Sequence, residues 1–284
     1  MTAPTWLVGP EGMPQDVEPT EVLPCATYNL HLPSRKVIAA TPRFFSTFAL
    51  DFDPDPKAGH PAEWIKFLES VFGDDLDAIM LIQEWMGYCL TGDTSQQKML
   101  LLIGPPRSGK GTIARVLAEI IGRSNVCGPT TSSLASEFGL QPLLGKSLAV
   151  VSDARFSGES IQTVIERLLC ISGEDTITVA RKHTDSLNVK LNTRFMFLTN
   201  MAPALSDAST AISNRFLPVQ ITRSHLGSED MKLLTRLLGE KAGILNWAIE
   251  GWHRLRGRGK FLVPQSSLEL AEDIADMSLS LIHI

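Results

Sequence analysis

The feature that most constrains this chain is a short loop, Gly104-Pro105-Pro106-Arg107-Ser108-Gly109-Lys110-Gly111-Thr112, set between two patterns of different period. Before it, Met99–Ile103 is an unbroken apolar run of strand length. After it, residues 112–121 place apolar side chains at helical spacing. A strand, a glycine-rich loop and a helix in that order form a cradle for phosphate. Glycines let backbone N–H groups curl around anionic oxygens, and the helix start adds partial positive charge. Residues 104–112 are therefore the expected nucleotide-binding loop, with the Lys110 ammonium reaching the terminal phosphates of ATP.

The remainder of the chain is patterned to fit that loop. Apolar runs at 99–103, 147–151, 194–199 and 216–221 alternate with helical stretches. This predicts an α/β fold, with a mostly parallel sheet flanked by helices. Residues 1–24, with five prolines, read as an extended arm or linker. Residues 25–95 read as an N-terminal helical region with helices at 61–72 and 75–90, the second stopped by Gly92. Residues 96–223 form the expected ATPase core. Residues 224–284 read as a C-terminal helical region, helical over 229–256, whose end at 279–284 lacks a cap and suggests truncation.

Composition sets limits on the class. The 44% hydrophobic and 20% charged fractions are ordinary for a globular protein. No apolar run approaches the roughly 18–20 residues needed to span a bilayer, so no membrane role is expected. Cys25, Cys89, Cys127 and Cys170 lie far apart without metal-ligand spacing, which suits a reducing, cytoplasmic setting. The net charge of −5 argues against coating nucleic acid with the whole surface. It leaves room for a ring that grips DNA only in its centre, where symmetry multiplies a few basic residues. The acidic stretch 49–78 reads as a solvated face.

Further along, Ser152 and Asp153 end a buried-strand pattern. A carboxylate there can orient or deprotonate an attacking water and help hold Mg²⁺. The hydroxyl that usually follows the loop lysine is displaced by one place, from Gly111 to Thr112. Thr112 is expected to touch a phosphate and, with Asp153, to serve the Mg²⁺ that ATP brings. The apolar strand 194–199 ends in Asn200, suited to hydrogen-bond the γ-phosphate or the water. Arg215 follows fifteen residues after Asn200; its permanently charged planar fork suits a developing phosphoryl charge. Between alternating runs at 176–180 and 187–191, the polar loop 181–186 is expected to carry Arg181, Lys182 and His183 at a hairpin tip, for DNA phosphate contacts of low sequence preference.

Taken in order, loop, acid, hairpin, asparagine and arginine, the chain resembles the superfamily 3 helicases, a branch of the AAA+ ATPases of small viruses, phages and plasmids. It is most similar to phage and poxvirus primase-helicases, over residues 25–265. The Arg-Lys-His hairpin also looks like the pore hairpin of papillomavirus replicative helicases, which implies that Lys182 and His183 grip a DNA backbone. The resemblance implies an AAA+-type core, a homo-oligomeric ring, expected to be a hexamer, ATP with Mg²⁺, and translocation on one DNA strand in a central pore inside a bacterial host cell. It places Arg215 as an arginine finger acting on a neighbour's ATP. A primase domain in front and a winged-helix domain behind are common in such proteins, and neither is recognisable here. Two alternatives stay open. One is a non-unwinding AAA+ ring that loads or scaffolds. The other is a nucleoside-monophosphate-kinase-like phosphotransferase, since the Gly-Lys-Gly-Thr ending is shared with adenylate kinases; there the loop opens the chain, whereas about a hundred residues precede it here.

Overall fold

A computed structural model describes residues 4–7, 17–156, 158, 160–203 and 209–280. The rest of the arm falls outside the described residues, as does 281–284 of the end expected at 279–284 to lack a completed element; residues 279–280 close a helix. The chain opens with short strands, β1 (Thr5–Trp6), β2 (Val22–Pro24), β3 (Tyr28–His31), β4 (Lys36–Ala39) and β5 (Phe44–Phe45). β2, β3 and β4 form an antiparallel sheet, and β1 pairs with β5. These strands lie where the sequence pattern suggested an arm and a helical region. At two to four residues each, they are too short for a period of two to stand out.

Helices α1 (Ala62–Phe72) and α2 (Leu76–Tyr88) follow, close to the expected bounds. Asp75 caps α2, its carboxylate accepting from the Ala78 N–H at 2.9 Å. The core then runs through β6 (Met99–Ile103), α3 (Lys110–Ile121), β7 (Val126–Cys127), α4 (Thr131–Ala135), β8 (Leu148–Val151), α5 (Ile161–Ser172), β9 (Thr176–Arg181), β10 (Thr184–Lys190), β11 (Arg194–Thr199), α6 (Ser209–Ser213) and β12 (Phe216–Gln220). The expected helix over 229–256 is two, α7 (Leu233–Gly239) and α8 (Lys241–Arg258). Residues 265–280 form one more, α9 (Gln265–Ser280), which packs on β12.

Five strands make a parallel sheet in the order β12-β6-β11-β8-β7. β11 is inserted between β6 and β8, which precede it in the chain. Both faces of the sheet are covered, so alternate residues serve different cores. Leu100 and Leu102 of β6, with Met196 and Leu198 of β11, face a core shared with α1, α2, α3 and α8. Met99, Leu101 and Ile103, with Phe195 and Phe197, face the core beneath α5, α9 and the β9–β10 hairpin. Pro218 lacks an N–H to donate, and β12 is an edge strand, where that loss is tolerated.

The helical region is fastened to α8 by close backbone approach. A Cβ on Gly87 would lie 2.3 Å from the Ala248 carbonyl oxygen, and one on Gly251 would lie 2.3 Å from that of Gln83. Beside this crossing, the fully buried Glu84 accepts from Arg258 through both oxygens at 2.5 Å and from the Leu262 N–H at 2.9 Å. A buried carboxylate needs such partners to offset its desolvation.

Candidate functional site

The strand order brings three segments that are distant in sequence to one edge of the sheet. The 104–109 loop leaves the carboxyl end of β6, Asn200 leaves that of β11, and Ser152 and Asp153 leave that of β8. Because β11 separates β6 from β8, Asn200 stands between the loop and the acid. Crevices at the carboxyl ends of parallel strands, where strand order switches, are the common ligand sites of α/β sheets.

Lys110 opens α3 and is itself buried. Its ammonium donates to the Gly104 carbonyl, to the Pro105 carbonyl at 2.8 Å, to Ser108 Oγ at 3.2 Å and to Asn200 Oδ1 at 3.3 Å. Burial holds its pKa below the ordinary lysine value, and the charge of Asp153 works in the opposite direction. All four acceptors are neutral, so among the described residues the amine has no charged partner in hydrogen-bond reach. Among the described residues the backbone N–H groups of 107–111 also meet no acceptor, whereas those of Thr112 and Ile113 both bond the Gly109 carbonyl. A buried cation beside a run of free amides at a helix start is a fitting cradle for an anion.

Glycine is required at two places in this loop. Gly109 has φ of +94°, and a Cβ there would meet Val71 Cγ2 of α1 at 2.8 Å. A Cβ on Gly104 would lie 2.5 Å from the Ile221 carbonyl oxygen. Arg107 and Asp153 also hold left-handed conformations, with φ of 58° and 51°. Such strain persists only where the surroundings fix it, and it gathers at functional sites. Thr112 Oγ1 accepts from the Arg115 guanidinium at 3.3 Å. Among the described residues no group of three or more His, Cys, Asp or Glu side chains could hold a metal on its own. Thr112 and Asp153 offer one hydroxyl and one exposed carboxylate, oxygen donors of the kind that Mg²⁺ takes alongside waters and phosphate oxygens.

The sequence pattern did not reveal the far wall of this loop. Residues 223–229, after β12, lie against it. Ser224 Oγ donates to the Pro106 carbonyl at 2.8 Å, and the His225 N–H donates to the Arg107 carbonyl at 3.0 Å. Glu229 stands 3.5 Å from the Arg107 guanidinium. Only the polarity of this stretch was visible in the sequence, and polarity does not say what a loop folds onto.

Arg215 is not at this site. It precedes β12, whose first residue is in register with Met99 at the amino end of β6. Five strand residues, on the order of 17 Å, separate it from the loop of its own chain. There its guanidinium donates to the side-chain oxygen of Gln97 and, at 3.4 Å, to the Ser172 carbonyl.

The hairpin forms as expected but turns more tightly. β9 and β10 pair up to Arg181 and Thr184, so Lys182 and His183 alone make the turn, His183 with φ of 60°. The residues assigned to the rest of the loop, 184–186, belong to β10, where the register shifts. Arg181 Nε donates to the Asp185 carbonyl at 2.8 Å. The tip rests against the segment after α4. The Lys182 N–H donates to Gln141 Oε1 at 3.2 Å, and the Lys182 ammonium lies 5.9 Å from the centre of the Phe138 ring. No sequence signal singled out Phe138 or Gln141.

A family of unknown function (DUF5906) matches residues 102–215, from β6 to the start of β12. No curated protein matches the chain. Among solved structures, the fold is similar to the apo structure of the NrS-1 C-terminal region, with a TM-score of 0.61 and 17% identity over 80% of this chain and 55% of that one. It is also similar to an A-form apo structure of the same region, with a TM-score of 0.58 and 16% identity over 78% of this chain and 55% of that one. The chain thus spans 55% of the length of these structures. At such identity the likeness concerns the fold. Among the described residues no helix is long and apolar enough to cross a membrane.

Proposed function

We propose that this chain is the ATP-hydrolysing motor of a ring-forming DNA helicase of the phage or plasmid replication type. The observation that carries the reading is the setting of Lys110, a buried ammonium bonded only to neutral acceptors, beside free amides, Asn200 and the carboxylate of Asp153. A triphosphate oxygen would exchange those neutral acceptors for charged ones, and charge-assisted hydrogen bonds are about twice as strong. In this reading the amides of 107–111 and Lys110 bind the β- and γ-phosphates, Asn200 orients the attacking water and Asp153 takes its proton. Thr112 and Asp153 would hold Mg²⁺, which neutralises phosphate charge when bound.

Two features support a ring over an isolated phosphotransferase. Arg215 stands too far from its own loop to act there, so a part in hydrolysis requires the loop of a neighbouring subunit. The β9–β10 hairpin carries an exposed strand, β10, and an exposed basic turn, Lys182 and His183, suited to the backbone of a single strand held in a central opening.

ATP turnover measured with and without single-stranded DNA, with oligomeric state recorded by light scattering, tests the reading. Turnover stimulated by DNA in an oligomer is the expected result. Turnover by a monomer indifferent to DNA overturns it. Strand displacement on a forked duplex separates a helicase from a ring that only loads or scaffolds.

A further inference from the structure

The residues joining α2 to β6 form a turn, closed by the Gln97 N–H donating to the Thr94 carbonyl at 3.0 Å. Gln97 holds φ of 53°, and Glu174, across from it at the foot of the hairpin, holds φ of 68°. Neither is glycine or asparagine, the types that take this conformation with least strain. Side chains at strained positions persist only where their contacts hold them, which points to a task for those side chains.

Their contacts show what the task could be. Gln97 Oε1 accepts from Arg215, while Gln97 Nε2 donates to the Gly173 carbonyl at 3.5 Å, where the chain approaches Glu174 and β9. Arg215 also reaches the Ser172 carbonyl at 3.4 Å. The Glu174 carboxylate takes the Thr94 hydroxyl and pairs at 3.1 Å with Lys190, the last residue of β10. Both roots of the hairpin and Arg215 are therefore tied to one turn. Among the described residues no carboxylate pairs with Arg215. Its partners are neutral oxygens, and the Lys98 amine nearby is held below the ordinary lysine pKa by burial and by the charge of Arg215. A cation held only by amide oxygens beside a like charge is ready to move to an anion.

We propose that Gln97 is a positioning residue whose single side-chain amide holds both Arg215 and the root of the β9–β10 hairpin. When Arg215 turns toward a neighbour's nucleotide, the Gln97 amide loses one of its two partners, and its hold on the hairpin root weakens. The inference deepens the motor reading above and rests on it. It supplies the physical link by which a phosphate sensed at one subunit border is felt at the DNA-facing turn, and the reverse.

The test combines an exchange measurement with an activity measurement. Hydrogen exchange of the amides of residues 176–190 is compared in the full chain, in Gln97→Met, in Arg215→Met and in the double variant. Each single change should speed exchange at the hairpin root several-fold, and the double variant should be no faster than the faster single one. Multiplicative effects, or an Arg215→Met variant without effect on the hairpin, overturn the proposal. In turnover assays Gln97→Met should lose most of the stimulation by single-stranded DNA; stimulation at the full-chain level overturns it. Gln97→Glu keeps an acceptor for Arg215 but loses the donor to Gly173, and it replaces the methionine variant if that one folds poorly. It should speed exchange at the root while lowering basal turnover. A full chain with no DNA-stimulated turnover sinks the motor reading, and the exchange comparison still decides whether Arg215 and the hairpin are joined through Gln97.

Discussion

At the scale of single residues, the proposed chemistry concentrates in Lys110 and Asp153. Lys110→Ala should abolish hydrolysis and weaken ATP binding, because it removes the cation that spans the terminal phosphates. Near-normal turnover in that variant would remove the basis for reading residues 104–112 as a phosphate loop. Asp153→Asn should behave differently. The amide keeps the size and part of the hydrogen bonding but cannot take a proton, so nucleotide binding should persist while hydrolysis is lost. If titration of a fluorescent nucleotide shows binding falling in step with turnover, Asp153 acts mainly through the metal or the loop conformation. The strands that carry both residues were legible in the sequence, as apolar runs each followed closely by polar or glycine residues. Ser224, His225 and Glu229 were not, because nothing local marks a polar loop as the one that folds over another loop.

Elements carry the next set of expectations. The crossing of α2 and α8 depends on backbone contact at Gly87 and Gly251. Gly251→Ala puts a methyl 2.3 Å from the Gln83 carbonyl oxygen, where neither partner can yield without moving a helix. Overpacking of this kind costs about 1–3 kcal/mol, and thermal unfolding should drop by roughly 2–4 °C for each kcal/mol. An unchanged melting temperature would mean that the helices separate easily at this point. The hairpin makes a different prediction. Lys182→Ala with His183→Ala should leave basal hydrolysis largely intact while weakening DNA binding. The salt dependence of affinity should flatten by about one unit of log–log slope for each DNA phosphate that the turn no longer neutralises. Equal affinity and slope in both proteins would show that the turn faces away from DNA.

The whole molecule has two working edges. The proposed nucleotide cradle lies at the carboxyl ends of the parallel strands, and Arg215 lies at the amino ends with the hairpin roots and the 94–98 turn. One subunit therefore holds a loop and an arginine that cannot serve each other. Arg215→Ala should bind ATP nearly normally and hydrolyse it on the order of 10³-fold more slowly, as expected for a group that acts on the transition state from outside. Mixing decides the geometry. In the proposed ring, Lys110→Ala subunits keep the arginine and Arg215→Ala subunits keep the loop, so mixed rings should regain turnover at borders where the two meet. Inactive mixtures, in rings shown to exchange subunits, would count against action between subunits. Loss of folding in Arg215→Ala would mean that its bonds to Gln97 and Ser172 are chiefly structural.

The sequence alone determined the features that depend on neighbours along the chain. The β6–loop–α3 unit, the acid after β8 and Asn200 after β11 follow from apolar runs meeting polar or glycine residues. The hairpin follows from two alternating stretches. Their periods and ends are set by backbone geometry within a few residues, so a linear reading reaches them. The short strands β2 to β5 escaped because two to four residues do not establish a period. Tertiary structure alone decided that β11 sits between β6 and β8, which places Asn200 3.3 Å from Lys110, and that Arg215 lies at the far edge, tied through Gln97 to the hairpin root. The reason is physical. Strand order and loop-on-loop packing are chosen by burial and hydrogen bonding among segments far apart in the chain, and those energies leave no period in the sequence to read.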